Sequence, residues 1–150
     1  MTKDNGAKQL AERCAQAMWP RDRASQFMDI RLESMDEGKA VMSMEVKEHM
    51  LNGYAMCHGG YIFSLADDAF AYACNSQNQA AVASSCTIDF LLPSHEGEVL
   101  TATAECLHQS TRNGLYDVTV MNQNGQVVAR FRGRSARLNK SIIPEEPDHA

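Results

Sequence analysis

No stretch of this chain approaches the roughly 20 consecutive apolar residues that a membrane-spanning helix requires. The first residues, Met1 to Trp19, are interrupted by Lys3, Asp4, Lys8, Glu12 and Arg13, which leaves no apolar signal-peptide core. Basic charge is scarce too: 14 Lys and Arg stand against 19 Asp and Glu, a formal net charge of −5. A general nucleic-acid binder would carry a basic footprint, so that class is excluded, although a local basic patch could still receive an anionic small molecule. The five cysteines, Cys14, Cys57, Cys74, Cys86 and Cys106, are odd in number and scattered, without a C-x-x-C pair. Neither a disulfide framework nor a metal knuckle is written here, and a reduced, cytoplasmic setting is expected. There is no H-E-x-x-H, no phosphate-cradling G-x-x-x-x-G-K-[ST] and no internal repeat. The expectation is a soluble protein that binds no membrane, nucleic acid or metal.

What is present suits one domain: 150 residues, 44% hydrophobic and 22% charged, enough to bury a core without disulfides. From about Ala7 to Met18, Leu10, Cys14, Ala17 and Met18 fall at helical spacing ahead of Pro20, so residues 1–26 read as a helical extension. Alternation follows from Met28 to Val46, broken by the hairpin turn Asp36-Glu37-Gly38-Lys39. A polar loop, His49 to Cys57, ends at His58-Gly59-Gly60. Beyond it the chain is apolar to Cys74 except for Ser64, Asp67 and Asp68, and its Leu, Phe and Ala content predicts a buried helix stopping at Asn75-Ser76-Gln77-Asn78. Four strands are expected thereafter, Ala80 to Leu92, Val99 to His108, Leu115 to Met121 and Gln126 to Leu138, with Asn113-Gly114 and Asn124-Gly125 as hairpin turns. Residues 139–150 read as a frayed tail, leaving about 27–138 as the core. One long helix among antiparallel strands is an α+β arrangement, most simply a sheet curled around the helix, with edges and a face left for self-association.

Two features could carry chemistry. Asp67 and Asp68 interrupt the apolar helix, where an isolated charge is costly, so each must be exposed, paired, protonated or functional. Asp67 shares a face with Phe63, Ser64, Phe70 and Ala71, which predicts that it is the more enclosed of the two. The second feature is His58-Gly59-Gly60 at the helix start, where free N–H groups and the macrodipole favour a developing oxyanion and glycine admits a close approach. An ordinary glycine-containing helix entry would look the same. His58 could serve as acid or base or simply bond locally. Cys57 beside it is no nucleophilic dyad, because sequence neighbours rarely aim at each other. Arg130, Arg132 and Arg134 share one strand face and, with Arg112, could meet a phosphorylated ligand.

The segment His58-Gly59-Gly60-Tyr61-Ile62-Phe63-Ser64-Leu65-Ala66-Asp67, with Asn52 six residues upstream, resembles the hot-dog-fold acyl-CoA thioesterases, most closely the PaaI type associated with phenylacetate degradation. Matching stretches are Ala69–Ser76, Cys86–Leu91 and Phe131-Arg132-Gly133, and the similarity runs from about Phe27 to Leu138. The resemblance implies hydrolysis of an acyl-CoA, phenylacetyl-like with or without ring hydroxylation, and without metal or organic cofactor. It also implies dimers with two sites each, assembled as a tetramer. It makes Asp67 the nucleophile or general base, Gly59 the N–H donor to the thioester carbonyl, Asn52 the group positioning thioester or water, and His58 a holder of the loop. Gly60 would lie at the substrate, with Arg132 and Arg134 as candidates for the CoA phosphates. Leu92 departs from the pattern, since relatives often carry Arg there before the Pro.

Geometry adds a constraint. Asp67 follows Gly59 by eight residues, about 12 Å along a helix, whereas a base must come within about 3 Å of its partner. The two therefore serve different thioesters unless antiparallel pairing of two chains brings Asp67 of one to Gly59 of the other. The other readings are a hot-dog dehydratase or hydratase, which leaves the thioester intact, and a non-catalytic acyl-CoA-binding protein.

Overall fold

The computed structural model describes residues 2–144. Helix α1 (Thr2–Met18) leads through a short 3-10 turn, Trp19–Arg21, into α2 (Arg23–Phe27). Helix α1 begins earlier than the sequence pattern predicts and runs through Gly6, since a helix tolerates an isolated glycine. Strands β1 (Arg31–Asp36) and β2 (Lys39–Glu45) follow, then α3 (Gly59–Cys74), and finally β3 (Ala81–Phe90), β4 (Val99–Gln109), β5 (Asn113–Met121) and β6 (Val127–Arg137). The alternation expected from Met28 becomes a strand only at Arg31, since Met28 to Ile30 form a turn with Asp29 at φ 51°.

All pairings are antiparallel, in the order β1-β2-β4-β5-β6-β3. Helix α3 carries the chain from the β1–β2 hairpin across the sheet to the opposite edge, so it lies against the inner face of the strands. The strands present small residues to it. Ala40, Ala102, Ala104 and Ala129 are fully buried and share one core with Leu65, Ala66, Ala69 and Phe70. At Gly133 the fit leaves no room for a side chain, because an added Cβ would stand 2.8–2.9 Å from the Phe70 ring carbons.

Two turn expectations separate here. Gly38 lies at φ 66° in the two-residue β1–β2 turn, a conformation glycine adopts without a Cβ penalty. Asn113-Gly114 is not a turn: both residues are in β5, Gly114 pairing with Gln109 and Ser135. Crowding explains this glycine, since a Cβ would meet Gln109 Oε1 at 2.4 Å and Ser135 Oγ at 2.5 Å. The expected frayed tail also needs correction. Asn78 Oδ1 accepts the N–H groups of Ile142 and Ile143 at 2.9 and 2.8 Å, and Ala80 donates to the Lys140 carbonyl, so residues 140–143 are tied to the connection between α3 and β3. The rest of the tail, 145–150, lies outside the described residues. Strand β3 pairs on one side only, and Val82 and Phe90 on it are about half exposed.

Candidate active site

The loop before α3 is built by Asn52. Its Oδ1 accepts the Tyr54 N–H at 2.9 Å and the Met56 N–H at 3.1 Å, while its backbone donates to the Met56 carbonyl at 2.7 Å. Both acceptor directions of the amide thus hold the loop, and its NH2 group has no partner among the described residues. His58 is anchored by its N–H to the Met50 carbonyl at 2.7 Å, and its Nδ1 accepts the Gly60 N–H at 3.0 Å as the N-cap of α3. A ring that accepts at Nδ1 carries its proton on Nε2, so His58 holds the loop in this arrangement and is not a base at Nδ1. The Gly60 N–H is consumed by the same cap. Cys57 is buried and its thiol is pushed up to about 11 by desolvation, which leaves it inert.

Gly59 is the first residue of α3, where no helical carbonyl is available. Its N–H has no acceptor among the described residues, and it stands at the positive end of the longest apolar helix. Beside it opens a cleft of about 380 Å³ whose walls include Asn52, Met56, Ile62, Phe90, Leu92 and Ser94. The Phe90 ring packs so closely that a Cβ on Gly59 would meet its Cζ at 2.9 Å. An apolar cleft with one free N–H and one free amide NH2 can take a polarisable carbonyl.

Asp67 lies elsewhere. It borders a separate cleft of about 310 Å³ with Met18, Phe70, Cys74, Ala81 and Val82. No hydrogen bond reaches its carboxyl among the described residues, and burial raises its pKa. Within one chain the two halves are thus apart, at opposite ends of β3, as the helical spacing predicts.

The depth order of the two carboxylates is the reverse of the expectation. Asp68 is the more enclosed: burial pushes it up to about 7, Ser25 Oγ lies 2.6 Å from its Oδ2, and Asp22 and Asp67 add to the rise. Ser25 is fully buried and its Oγ stands 2.6 Å from Asp22 Oδ2 as well. Tyr72 donates its hydroxyl to Asp22 Oδ2 at 3.0 Å. Face-sharing on α3 could not reveal this, because the covering residues come from more than forty positions upstream. The only local signal was Asp22, which caps α2 through the Ser25 N–H.

Arg130, Arg132 and Arg134 share the outer face of β6, exposed, as their spacing predicts. Arg132 forms a two-pronged pair with Asp117, Nε to Oδ1 at 2.7 Å and a terminal nitrogen to Oδ2 at 3.0 Å. That hydrogen bond holds the Asp117 carboxyl below the usual range. Arg130 donates to Thr119 Oγ1 at 3.2 Å, whereas Arg134 has no side-chain partner among the described residues. The structure thus brings Asn52, His58, Gly59 and Gly60 together and keeps Asp67, Arg132 and Arg134 away from them. Among the described residues no three His, Cys, Asp or Glu side chains are placed to hold a metal ion, and no helix is long and apolar enough to cross a membrane.

Comparison with known proteins agrees with this architecture. Residues 54–129 match the model of the thioesterase superfamily. The acyl-coenzyme A thioesterase PaaI of Escherichia coli is 53% identical over 131 residues, 87% of this chain and 94% of its own length. A putative esterase of Archaeoglobus fulgidus is 36% identical over 91% of this chain and 88% of its own. Among solved structures, the E. coli PaaI protein from the phenylacetic acid degradation operon superposes with a TM-score of 0.88 at 51% identity, covering 89% of this chain and 97% of that one. A Streptococcus mutans protein solved bound to acetyl CoA gives 0.72 at 30% identity, covering 75% and 90%. Fold, helix entry and sequence agree: this chain belongs to the thioesterase superfamily and has its hot-dog fold, an α+β sheet wrapped around one central helix.

Proposed function

We propose that the protein hydrolyses acyl-CoA thioesters, with aryl acyl groups of the phenylacetyl kind preferred, at two equivalent sites in a homodimer. The observation that carries this reading is the unfilled Gly59 N–H at the start of α3, facing an apolar cleft beside the free NH2 group of Asn52. The thioester carbonyl accepts from Gly59 and rests against the cleft wall of Phe90 and Leu92. Asp67 of the partner takes a proton from water, whose oxygen adds to the carbonyl carbon. The tetrahedral oxyanion is held by the Gly59 N–H and the helix dipole. Its collapse expels CoA as the thiolate, which is then protonated, and releases the acid. Asn52 orients water or thioester through its NH2 group, and His58 and Gly60 keep the donor in place.

Register supports the shared site. The Gly59 cleft sits at the Phe90 end of β3 and the Asp67 cleft at the Ala81 end. A two-fold axis through the middle of the strand, between Ser85 and Cys86, lays Ala81 against the partner's Phe90 and so joins the two halves at each end. Arg134 is the best placed of the stripe to meet a CoA phosphate, because Arg132 is already committed to Asp117. The cytoplasmic setting, and a tetramer formed by two such dimers, belong to the same reading. Support for aryl substrates comes from the phenylacetic acid degradation operon of the E. coli relative. A thiol-release assay over aryl and linear acyl-CoAs tests it: phenylacetyl-CoA should give the highest kcat/KM. Conversion of a 3-hydroxyacyl thioester without thiol release would make the protein a dehydratase instead.

A further inference from the structure

We propose that Asp68, Ser25 and Asp22 share one proton in a buried chain that clamps the Trp19–Phe27 segment onto α3, and that this clamp positions Asp67. Ser25 Oγ lies 2.6 Å from Oδ2 of Asp22 and 2.6 Å from Oδ2 of Asp68. A hydroxyl donates once, so only one of these contacts is served by the serine hydrogen. The other requires a proton on a carboxyl that donates to the serine oxygen. Asp22 already accepts from the Ser25 N–H and from the Tyr72 hydroxyl, the surroundings of an anion. Asp68 has no other donor among the described residues and stands beside Asp67. The proton therefore sits on Asp68, and the chain runs from Asp68 to Ser25 to Asp22, with Tyr72 closing it from α3.

The clamp has a reach into the site. Trp19 packs on Tyr72 with ring centroids 6.4 Å apart, and Met18, next to it in the chain, borders the Asp67 cleft. When Asp68 loses its proton to solvent, two carboxylates compete for one serine hydrogen and a third, Asp67, is adjacent. The groups bearing on Asp68 are Asp22 from the N-terminal segment and Asp67 on its own helix, with no cation among them. The core residues that β1 and β2 contribute, Met35, Met42 and Met44 among them, are apolar. The segment then loosens, and the Asp67 cleft loses its Met18 wall.

The positioning role rests on the proposed part of Asp67 as base; the clamp itself does not, and the test separates them. Trp19 is the chain's single tryptophan, so its emission reports the clamp without any substrate. In the wild type, Trp19 emission and kcat on the alkaline side should change together, with a midpoint near pH 7. Asp68→Asn supplies a permanent donor to Ser25, so both should become flat through that range, while Asp68→Ala, with no donor, should hold the open-state emission at all pH. A flat wild-type emission, or the same midpoint persisting in Asp68→Asn, overturns the clamp. An alkaline kcat limb that survives in Asp68→Asn overturns the positioning role. Should Asp68→Asn not fold, Asp22→Asn substitutes: it lets Ser25 serve an ionised Asp68, so the midpoint should fall by about a unit or more, and an unmoved midpoint overturns the proposal. Absence of hydrolysis with every thioester would refute the proposed function while the Trp19 titration still judged the clamp.

Discussion

Two inactive variants should restore each other if each site is built from two chains. The pair is Asp67→Ala and Asn52→Asp; the second keeps the oxygen that accepts from Tyr54 and Met56 but removes the NH2 donor, so the loop survives. Each variant alone should fall by about 10²–10⁴ in turnover, the range for losing a positioned general acid–base or orienting group. Refolded together in equal amounts, about half of the dimers are mixed. In a mixed dimer one site collects both lesions and the other collects neither, so about a quarter of all sites are intact. Specific activity should therefore return to about 25% of wild type, at least 25-fold above either variant. The separation behind this figure is eight helical residues, about 12 Å, against a reach of about 3 Å for proton transfer. Thiol release measures the activity, and differently tagged chains verify the exchange. Verified exchange without recovery would refute the two-chain site and leave the family membership untouched.

Other outcomes follow from single side chains. Asp67→Asn should fold and lose about 10²–10⁴ in kcat, while Asp68→Asn falls by less than about tenfold; the reverse order would mean that the catalytic carboxylate is Asp68. Stability should depend on pH through Asp68, whose folded pKa is raised from an ordinary 3.8 to about 7. The folded state then binds the proton more tightly, so the contribution is complete below about pH 4 and is lost as pH rises to about 7, on the order of 4 kcal/mol at about 1.4 kcal/mol per pH unit. Urea unfolding should show Asp68→Asn gaining on the wild type by up to that amount between pH 4.5 and 8, and an unchanged difference would count against a raised Asp68. Gly133→Ala should cost about 1–3 kcal/mol in the same assay, because the new Cβ meets the buried Phe70 ring. Arg134→Ala should raise KM for CoA esters with kcat little changed, and Arg132→Ala less so; equal KM values in both variants and wild type would return the stripe to solvent.

What could be read from the sequence was what short-range pattern controls. Helix α3 was legible because Leu, Phe and Ala run almost unbroken between Gly59 and Cys74, and the Glu37-Gly38 turn because the strands on either side alternate. The distance between Gly59 and Asp67 needed only the helical rise. Gly114 misled because glycine serves two purposes, backbone freedom and lack of a side chain, and only the neighbours Gln109 and Ser135 tell which applies. The ranking of Asp67 and Asp68 failed for a similar reason. A helical wheel orders residues around one axis, whereas the depth of Asp68 is set by Ser25 and Asp22 laid over it from another part of the chain. Asn78 hid its role as well, since an asparagine after a helix reads as a stop signal and its grip on Ile142 and Ile143 is a contact across 64 positions.

The two rims of the sheet differ in a way that bears on colloidal behaviour. Strand β1, at one rim, has α1 packed against it and a bulge between Leu32 and Ser34. Strand β3, at the other, offers ten residues with a single charge, Asp89, and among the described residues no element lies beyond it. A bare strand of that kind is a template for any passing strand, which is how fibrils and amorphous aggregates begin. With only one rim able to template, however, growth cannot continue past the first encounter. Two copies meeting β3 to β3 consume both templates, and the rims they leave outward are the obstructed ones. A lone protomer at high dilution or early in folding should be the sticky species, and the pair the one that stays in solution.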